Sequence, residues 1–507
     1  MDTIPGVGEH VLEGLEAAPG PAALHAVLAR LMTALEEEAS ATGEAWALSG
    51  PRAEVIPGAR NLARYLALRR RDLRPLQRAL MPLGLSSLGR LESRVVPSLQ
   101  AVRATLAVLA GLPQPTRPSI EDFFAGEKAL ARHTAQILGE ATPQRPVGLL
   151  VTCPSEAAEA PDFLLALARR GVEAVRINCA HDDAAAWLRM IGHVRNAEAV
   201  TGHRMRVLMD LAGPKIRTGV LRLPKEDRRV RLGALLAVVP PGGLDDLPLD
   251  FTDFAAECSL AEAVGMVEPG QRVFVDDGKI GAVVERTEPW GLVARVTHVP
   301  EDGAKLKEEK GLNFPDTALR CAALSAKDHE DLDVVARHAD GIGYSFVQSG
   351  EDVRLLQQEL AARRPEDWRT LSLVLKVETT RAVRALPEIV MRAAAQQPTA
   401  IMIARGDLAV EIGFERMAEM QEEILWLGEA AHIPVIWATQ VLESLVKNGK
   451  PVRGEMTDAA MAARAECIML NKGPHLFAAI DALDVLLRRM GEHQRKKTPQ
   501  LRRLTSW

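Results

Sequence analysis

Two short apolar runs end abruptly in charge. Leu373-Val-Leu-Lys-Val-Glu-Thr379 delivers Lys376 and Glu378, and Ile401-Met-Ile-Ala-Arg-Gly-Asp-Leu-Ala-Val-Glu411 delivers Arg405, Gly406 and Asp407. A strand that runs through a packed core does not keep such groups at its end for stability, because burying charge is costly unless it is paired or bound to metal. Glu378 and Asp407 stand 29 residues apart. That separation fits the ends of neighbouring strands in a β/α barrel, where active sites gather. Together the two carboxylates could hold one divalent cation.

The elements that would have to position them follow from periodicity. Val147-Gly-Leu-Leu-Val-Thr152, Val172-Glu-Ala-Val-Arg-Ile-Asn178 and Met205-Arg-Val-Leu-Met-Asp210 read as strands separated by helical periods. The rhythm resumes with Gly341-Ile-Gly-Tyr-Ser-Phe346 and with residues 371–376, 400–403, 434–438 and 467–470. Alternating strand and helix indicates a parallel sheet, and eight strands is the barrel count. Between the third and fourth strands the chain is rich in Pro, Gly and Val with little helical period, and Asp277-Gly278 supplies a hairpin turn. The expected fold class is therefore α/β: a TIM (β/α)8 barrel with an inserted small β domain and an N-terminal helical region. The expected division is a helical extension at 1–140, a first barrel part at 141–219, the inserted β domain at 220–309, a second barrel part at 310–492 and a basic tail at 493–507 not expected to be ordered.

In the extension, residues 24–36 and 91–110 repeat apolar side chains every three to four positions, apart from Pro97. These amphipathic helices need a partner surface, so the region is read as a packing or oligomerisation module. The basic run Arg69-Arg-Arg-Asp-Leu-Arg74 and the acidic run Glu36-Glu-Glu38 are read as solvated helix faces.

Composition narrows the partners. Lys plus Arg number 62 against 67 Asp plus Glu, a net charge of -5 with no basic block, which argues against a nucleic-acid partner. Five scattered cysteines make no Cys-x-x-Cys pair and no zinc spacing, the usage of a reducing compartment. Cys153 and Cys179 fall at strand ends but read as small core residues. The first residues, Met1 to His10, carry neither a basic start nor an apolar core, and no window is long enough to span a membrane. The expected location is cytoplasmic, with no membrane partner.

The ends of the candidate strands collect one rim of charge. It holds Arg176, Asn178 and His181 after the second strand, and Asp210, Lys215 and Arg217 after the third. Lys376 and Glu378 follow the fifth, Arg405 and Asp407 the sixth, Thr439 and Gln440 the seventh. Cations mixed with carboxylates suit an anionic substrate held with a metal, and arginines can clamp phosphate or carboxylate through paired N–H groups.

Six segments then resemble the pyruvate kinase family, in its order and with roughly its spacing. They are Met209-Asp-Leu-Ala-Gly-Pro-Lys-Ile-Arg-Thr-Gly219, Val275-Asp-Asp-Gly278 and Lys310-Gly-Leu-Asn-Phe-Pro315. The others are Ala404-Arg-Gly-Asp-Leu-Ala-Val-Glu411, Ala438-Thr-Gln-Val-Leu-Glu-Ser-Leu445 and Pro451-Val-Arg-Gly-Glu-Met-Thr-Asp458. The resemblance runs from about 146 to about 492. It implies phosphoryl transfer from phosphoenolpyruvate to ADP, giving pyruvate and ATP, with the insertion acting as an inserted small β-barrel lid domain over the nucleotide. It makes Lys376 the lysine at the transferring phosphoryl group and enolate. Glu378 and Asp407 become the ligands of Mg2+ or Mn2+. The backbone of Ala404, Arg405, Gly406 and Asp407 becomes the turn that receives the substrate carboxylate. Arg176 lies by the phosphates, Arg217 orders the phosphate region, and Thr439 stands near the face where carbon is protonated. Asn178 and His181 fall in the cofactor region. Family analogy also implies a homo-oligomer, dimer or tetramer.

The chain departs from that pattern in places. The usual Asn-Phe-Ser-His-Gly is Asn178-Cys-Ala-His-Asp182, so a serine that helps ligate a monovalent cation is Ala180. Lys215 occupies a position that is glutamate in potassium-dependent members and lysine in potassium-independent ones. A fixed ammonium can supply the charge potassium would bring, so potassium is not expected to be required. Ser-Gly-Glu-Thr after the last strand is Asn471-Lys-Gly-Pro474, and Asp182 adds negative charge near the expected nucleotide phosphates. A counterpart of the family's C-terminal domain is not expected. Two alternatives stay open: a catalytically silent regulatory protein on the kinase fold, or another metal-dependent barrel enzyme acting on phosphoenolpyruvate or pyruvate.

Overall fold

Eight parallel strands close on one another: β1 Gly148–Thr152, β2 Ala174–Asn178, β3 Arg206–Asp210, β4 Gly341–Tyr344, β5 Ser372–Val377, β6 Thr399–Ala404, β7 Val435–Ala438 and β8 Cys467–Leu470. This computed structural model describes residues 19–499 except 47, 49, 143–144, 226–227, 252 and 320–321. The chain start, Cys321 and residues 500–507 of the tail lie outside the described residues. Closure comes from Gly148 and Leu149 of β1 pairing with Cys467 and Ile468 of β8. β4 to β8 are buried along their whole length, as strands covered on both faces must be.

Helix ends are specified locally. Asp183 caps Ala184–Thr201, Thr379 caps Thr380–Gln396, and Ser325 and Ser349 form capping boxes with Asp328 and Asp352. The helical period after β1 is divided into a 3-10 turn, Ser155–Ala158, and a helix, Pro161–Arg169. Pro161 starts the second segment, because proline suits the first helical position and lacks the N–H that continuity would need.

The insertion forms a seven-stranded sheet with its own apolar core, its first strand Thr218–Arg222 and its last Leu312–Asn313. It starts and finishes a few residues outside the expected 220–309. Asp276, Asp277 and Gly278 all take positive φ in the turn joining Arg272–Val275 to Ile280–Glu288. Asp and Gly tolerate that conformation best.

The N-terminal region is helical and packs directly on the barrel. Leu24, Leu28, Leu31 and Leu35 of helix Pro21–Trp46 are buried in the cluster that holds the barrel's outer face. Pro97 sits in the first turn of helix Val95–Leu109, where its missing N–H costs nothing. Helix Ala125–Leu138 goes furthest: Ile137 and Leu138 join the cluster inside the barrel, with Leu150, Leu208, Met402 and Met469. The helix therefore stops the N-terminal mouth.

Most of both charged runs of the extension is exposed, as a solvated face would be, with Arg71 the exception. Arg71 is buried against Glu38, Arg69 lies over the Trp426 ring at 4.7 Å, and Arg64 pairs with Glu36. The acidic run of one helix meets the basic run after the next. The start of the basic tail is folded too. Gln494–Arg495 pairs with Thr498–Pro499, and Lys496 and Lys497 reach Glu466 and Glu92.

Candidate active site

The C-terminal ends of the strands gather the charges. Lys376, near the end of β5, is 8% exposed. Its ammonium donates to Ser345 Oγ at 2.7 Å and lies 3.1 Å from Glu378 Oε1 and 3.5 Å from Asp210 Oδ2. Burial disfavours that charge, but Glu378 and Asp210 outweigh it and hold the amine above its ordinary range. Asp210 ends β3 and also accepts from Arg176 Nε at 2.6 Å. Burial alone would raise its pKa; Arg176 and Lys376 bring it below the usual range. Room for Asp210 depends on its neighbour in β4. A Cβ at Gly343 would sit 1.9 Å from Asp210 Oδ1, so only glycine fits.

Glu378 is 2% exposed, and its Oε2 accepts the Phe346 backbone N–H at 2.6 Å. Its pKa is raised. Burial contributes most and the like charge of Asp407 adds, while Lys376 opposes. Asp407 is the third residue of helix Arg405–Ile412, which starts directly after β6. Two carboxylates thus press on each other at the end of adjacent strands. A divalent cation would relieve that repulsion, and hard oxygen donors of this kind suit magnesium or manganese. Among the described residues no group of three or more His, Cys, Asp or Glu could hold a metal. Glu378 and Asp407 would therefore share the ion with substrate oxygens and water.

Thr439 follows β7 with φ +63°, and Gln440 and Leu442 also take positive φ. A β-branched residue in that region is strained, and such strain clusters at functional sites. The strain puts Thr439 Oγ1 2.9 Å from the Gly406 N–H, which donates to it. The turn at Ala404–Asp407 is thereby tied to β7.

Not every cation expected at the rim is free for a ligand. Arg405 donates from Nε to Ala438 O at 3.0 Å, and its terminal nitrogens reach Asp458 Oδ1 at 2.6 Å and Thr439 O at 2.5 Å. Its guanidinium also lies over the Trp437 ring at 4.8 Å. The side chain braces β6, β7 and the helix Arg453–Ala462 with three of its five N–H groups. Arg176 differs: two of its N–H groups go to Asp210 and Thr152, leaving three of five available. Arg217 lies at the base of the lid, donating to Glu309 O at 3.0 Å.

Lys215 pairs with Asp407 Oδ1 at 2.7 Å and lies 3.9 Å from Asp277 Oδ1 in the lid. Asn178 Oδ1 accepts the Ala180 N–H at 3.2 Å. The backbone carbonyl of His181 accepts from the Trp187 indole, and its imidazole pKa is lowered, by burial first and then by the positive charge of Lys472. Asp182 Oδ2 accepts from Ser155 Oγ at 3.1 Å. Burial raises the thiol of Cys153 to about 12 and that of Cys179 beyond, so both stay protonated and inert.

Two members of the constellation had no role assigned from sequence. Asp210 stood at a strand end, and its place between Lys376 and Arg176 needs the barrel to close. Ser345 follows β4 directly, so the strand-end rule that singled out Lys376 would also have reached it.

The lid rests on the rim. Asn313 Nδ2 donates to Glu411 Oε1 at 3.1 Å, and a Cβ at Gly278 would lie 3.5 Å from Val410.

A family model described as the pyruvate kinase barrel domain matches residues 145–474. A protein of Corynebacterium efficiens named pyruvate kinase is 32% identical over 63% of this chain and 65% of its own length. One of Agrobacterium vitis is 30% identical over 68% of each. A Synechocystis protein, pyruvate kinase 2, is 30% identical over 60% of this chain and 49% of its own length. The chain thus spans about two thirds or less of these curated relatives.

Proposed function

Since the chain belongs to the pyruvate kinase family, we propose that it transfers the phosphoryl group of phosphoenolpyruvate to ADP, releasing pyruvate and ATP. The observation that carries this reading is the buried Lys376 ammonium held among Glu378, Asp210 and Ser345, beside the raised carboxyl of Glu378. Phosphoryl transfer needs positioning and charge neutralisation, and the attacking ADP oxygen is already anionic, so no general base is required.

The bond from phosphorus to the enol oxygen breaks as the bond to the ADP oxygen forms, and the enolate then takes a proton at carbon. Lys376 faces the negative charge that develops on the enol oxygen and transferring phosphoryl group. Arg176, fixed by Asp210 and Thr152, directs its remaining N–H groups to phosphate oxygens. Helix Arg405–Ile412 receives the substrate carboxylate at its N-terminus, where amide N–H groups and the helix dipole favour an anion. Thr439 stands at the face where carbon is protonated, and Arg217 steadies the nucleotide phosphates under the lid. A divalent ion held by Glu378 and Asp407 would draw the substrate's oxygens together and spread their charge.

Potassium independence belongs to the same proposal. Ala180 offers no hydroxyl for a monovalent cation, and Lys215 already places a positive charge on Asp407. The chain is proposed to act as a cytoplasmic dimer or tetramer, without nucleic acid or membrane. A coupled assay of ATP formation from phosphoenolpyruvate and ADP, with magnesium and with or without potassium, tests the reading. Magnesium-dependent turnover unchanged by potassium is expected. A strict potassium requirement would overturn the cation proposal alone. Phosphoenolpyruvate binding without turnover would favour a silent regulatory protein or another barrel enzyme.

A further inference from the structure

Lys215 stands where the barrel and the lid are joined. The outgoing connection passes through Lys215 to Thr218 and the returning one through Lys310 to Leu312. The two are stitched together, since Thr218 N donates to Lys310 O at 2.8 Å and Leu312 N to Ile216 O at 2.9 Å. The Lys215 side chain lies against this two-stranded connection: a Cβ on Gly311 would lie 3.0 Å from Lys215 Cε. Its ammonium then has carboxylates on both bodies, Asp407 at 2.7 Å on the barrel and Asp277 at 3.9 Å on the lid. The first pair is sheltered, at 22% and 20% side-chain exposure, while Asp277 is 70% exposed. Asp407 is therefore the stronger partner, because exposed pairs are screened by solvent.

We propose that Lys215 couples cation binding to lid closure by passing its ammonium between these two carboxylates. The ammonium is paired with an oxygen of Asp407 that a divalent cation would also need. A divalent cation competes for that oxygen and repels the ammonium, and the nearest remaining carboxylate is Asp277. The displaced charge then ties the connection to the lid turn at 276–278, so metal loading holds the lid against helix Arg405–Ile412, where that turn already meets Val410 and opening would part them. This goes beyond replacing potassium, since it gives Lys215 two partners and a direction of movement. It rests on reading Asp407 as a divalent-cation ligand.

The test uses Mn2+ alone, without nucleotide or phosphoenolpyruvate. Binding is followed by the electron paramagnetic resonance of free Mn2+. Lid position is followed by energy transfer between dyes on Glu301→Cys in the insertion and Lys447→Cys on the barrel, in a Cys321→Ser background. In the otherwise unchanged protein, Mn2+ is expected to shorten the dye separation. Lys215→Met should bind Mn2+ roughly tenfold more tightly, as expected if about 1.4 kcal/mol of competition is removed, and should lose the lid response. Asp277→Asn, at an exposed position that should not disturb folding, should keep the Mn2+ affinity and lose most of the lid response. Lys215→Arg should restore that response. Unchanged or weaker Mn2+ binding by Lys215→Met, or a normal lid response in that variant or in Asp277→Asn, overturns the coupling. If Asp407→Asn binds Mn2+ as the parent does, the metal-site reading itself fails, and the coupling with it.

Discussion

The two ends of the barrel treat buried charge in opposite ways. At the N-terminal end, Arg145 is 1% exposed and uses every N–H group within the chain. It bonds Glu173 twice, Asp484, and the carbonyls of Val147 and Gly171. Nearby, Asn61 accepts from Val95 N and donates to the carbonyls of Glu92 and Ala430, joining the helical extension to the barrel. At the C-terminal rim the accounts stay open. Arg176 keeps N–H groups to spare, and Glu378 is pushed up by burial and by Asp407 even with Lys376 beside it. A buried charge whose needs are met within the chain stabilises one fold; one whose needs are unmet has a use for a ligand.

That contrast can be broken from either end. The largest change expected is in stability, from Arg145→Met. It leaves Glu173 buried without its partner and should cost about 3–5 kcal/mol in chemical denaturation, with kcat per folded molecule little altered. Lys376→Met should do the reverse. It should lower the rate of ATP formation about 10²- to 10³-fold, the scale for losing one preorganised group facing developing charge, while circular dichroism keeps the barrel signature. A Lys376→Met enzyme that turned over normally would end the reading of the rim as a reaction site.

The third prediction concerns pH. His432, at the N-terminal end, accepts no proton readily: burial lowers its pKa to about 4. The folded state holds it neutral while the unfolded chain charges it near 6.5. Its contribution is therefore complete above the unfolded pKa and is lost as pH falls toward 4, by about 2 kcal/mol between pH 7 and 5. His432→Asn, which tolerates the left-handed backbone at this position (φ +58°), should lose correspondingly less stability over that interval. Equal losses in both proteins would show that His432 is not the titrating group. The smallest effect belongs to the exposed seam: Glu36→Gln, which parts Glu36 from Arg64, should shift stability by less than about 1 kcal/mol.

Much of the barrel was legible because its strands are buried on both faces and so read as apolar runs with abrupt ends. Lys376, Glu378 and Asp407 could be found as charges at those ends. The partners of each charge were not legible. Lys215 meets Asp407 across 192 residues, and no local pattern records such a contact. Arg405 looked like Arg176 in sequence, yet three of its N–H groups go to Ala438, Thr439 and Asp458. The plug formed by Ile137 and Leu138 was equally hidden, since an amphipathic helix shows that it has a face to bury but not where.

The sequence by itself determined the element order, the eightfold strand count and the chemical types at the rim, because periodicity and burial are written locally. Only the tertiary structure decided which cations remain free, which carboxylates press together and which helix stops the barrel's mouth. Those outcomes depend on distances between residues far apart in the chain, and Coulomb energy and packing respond to distance in space, not along the sequence.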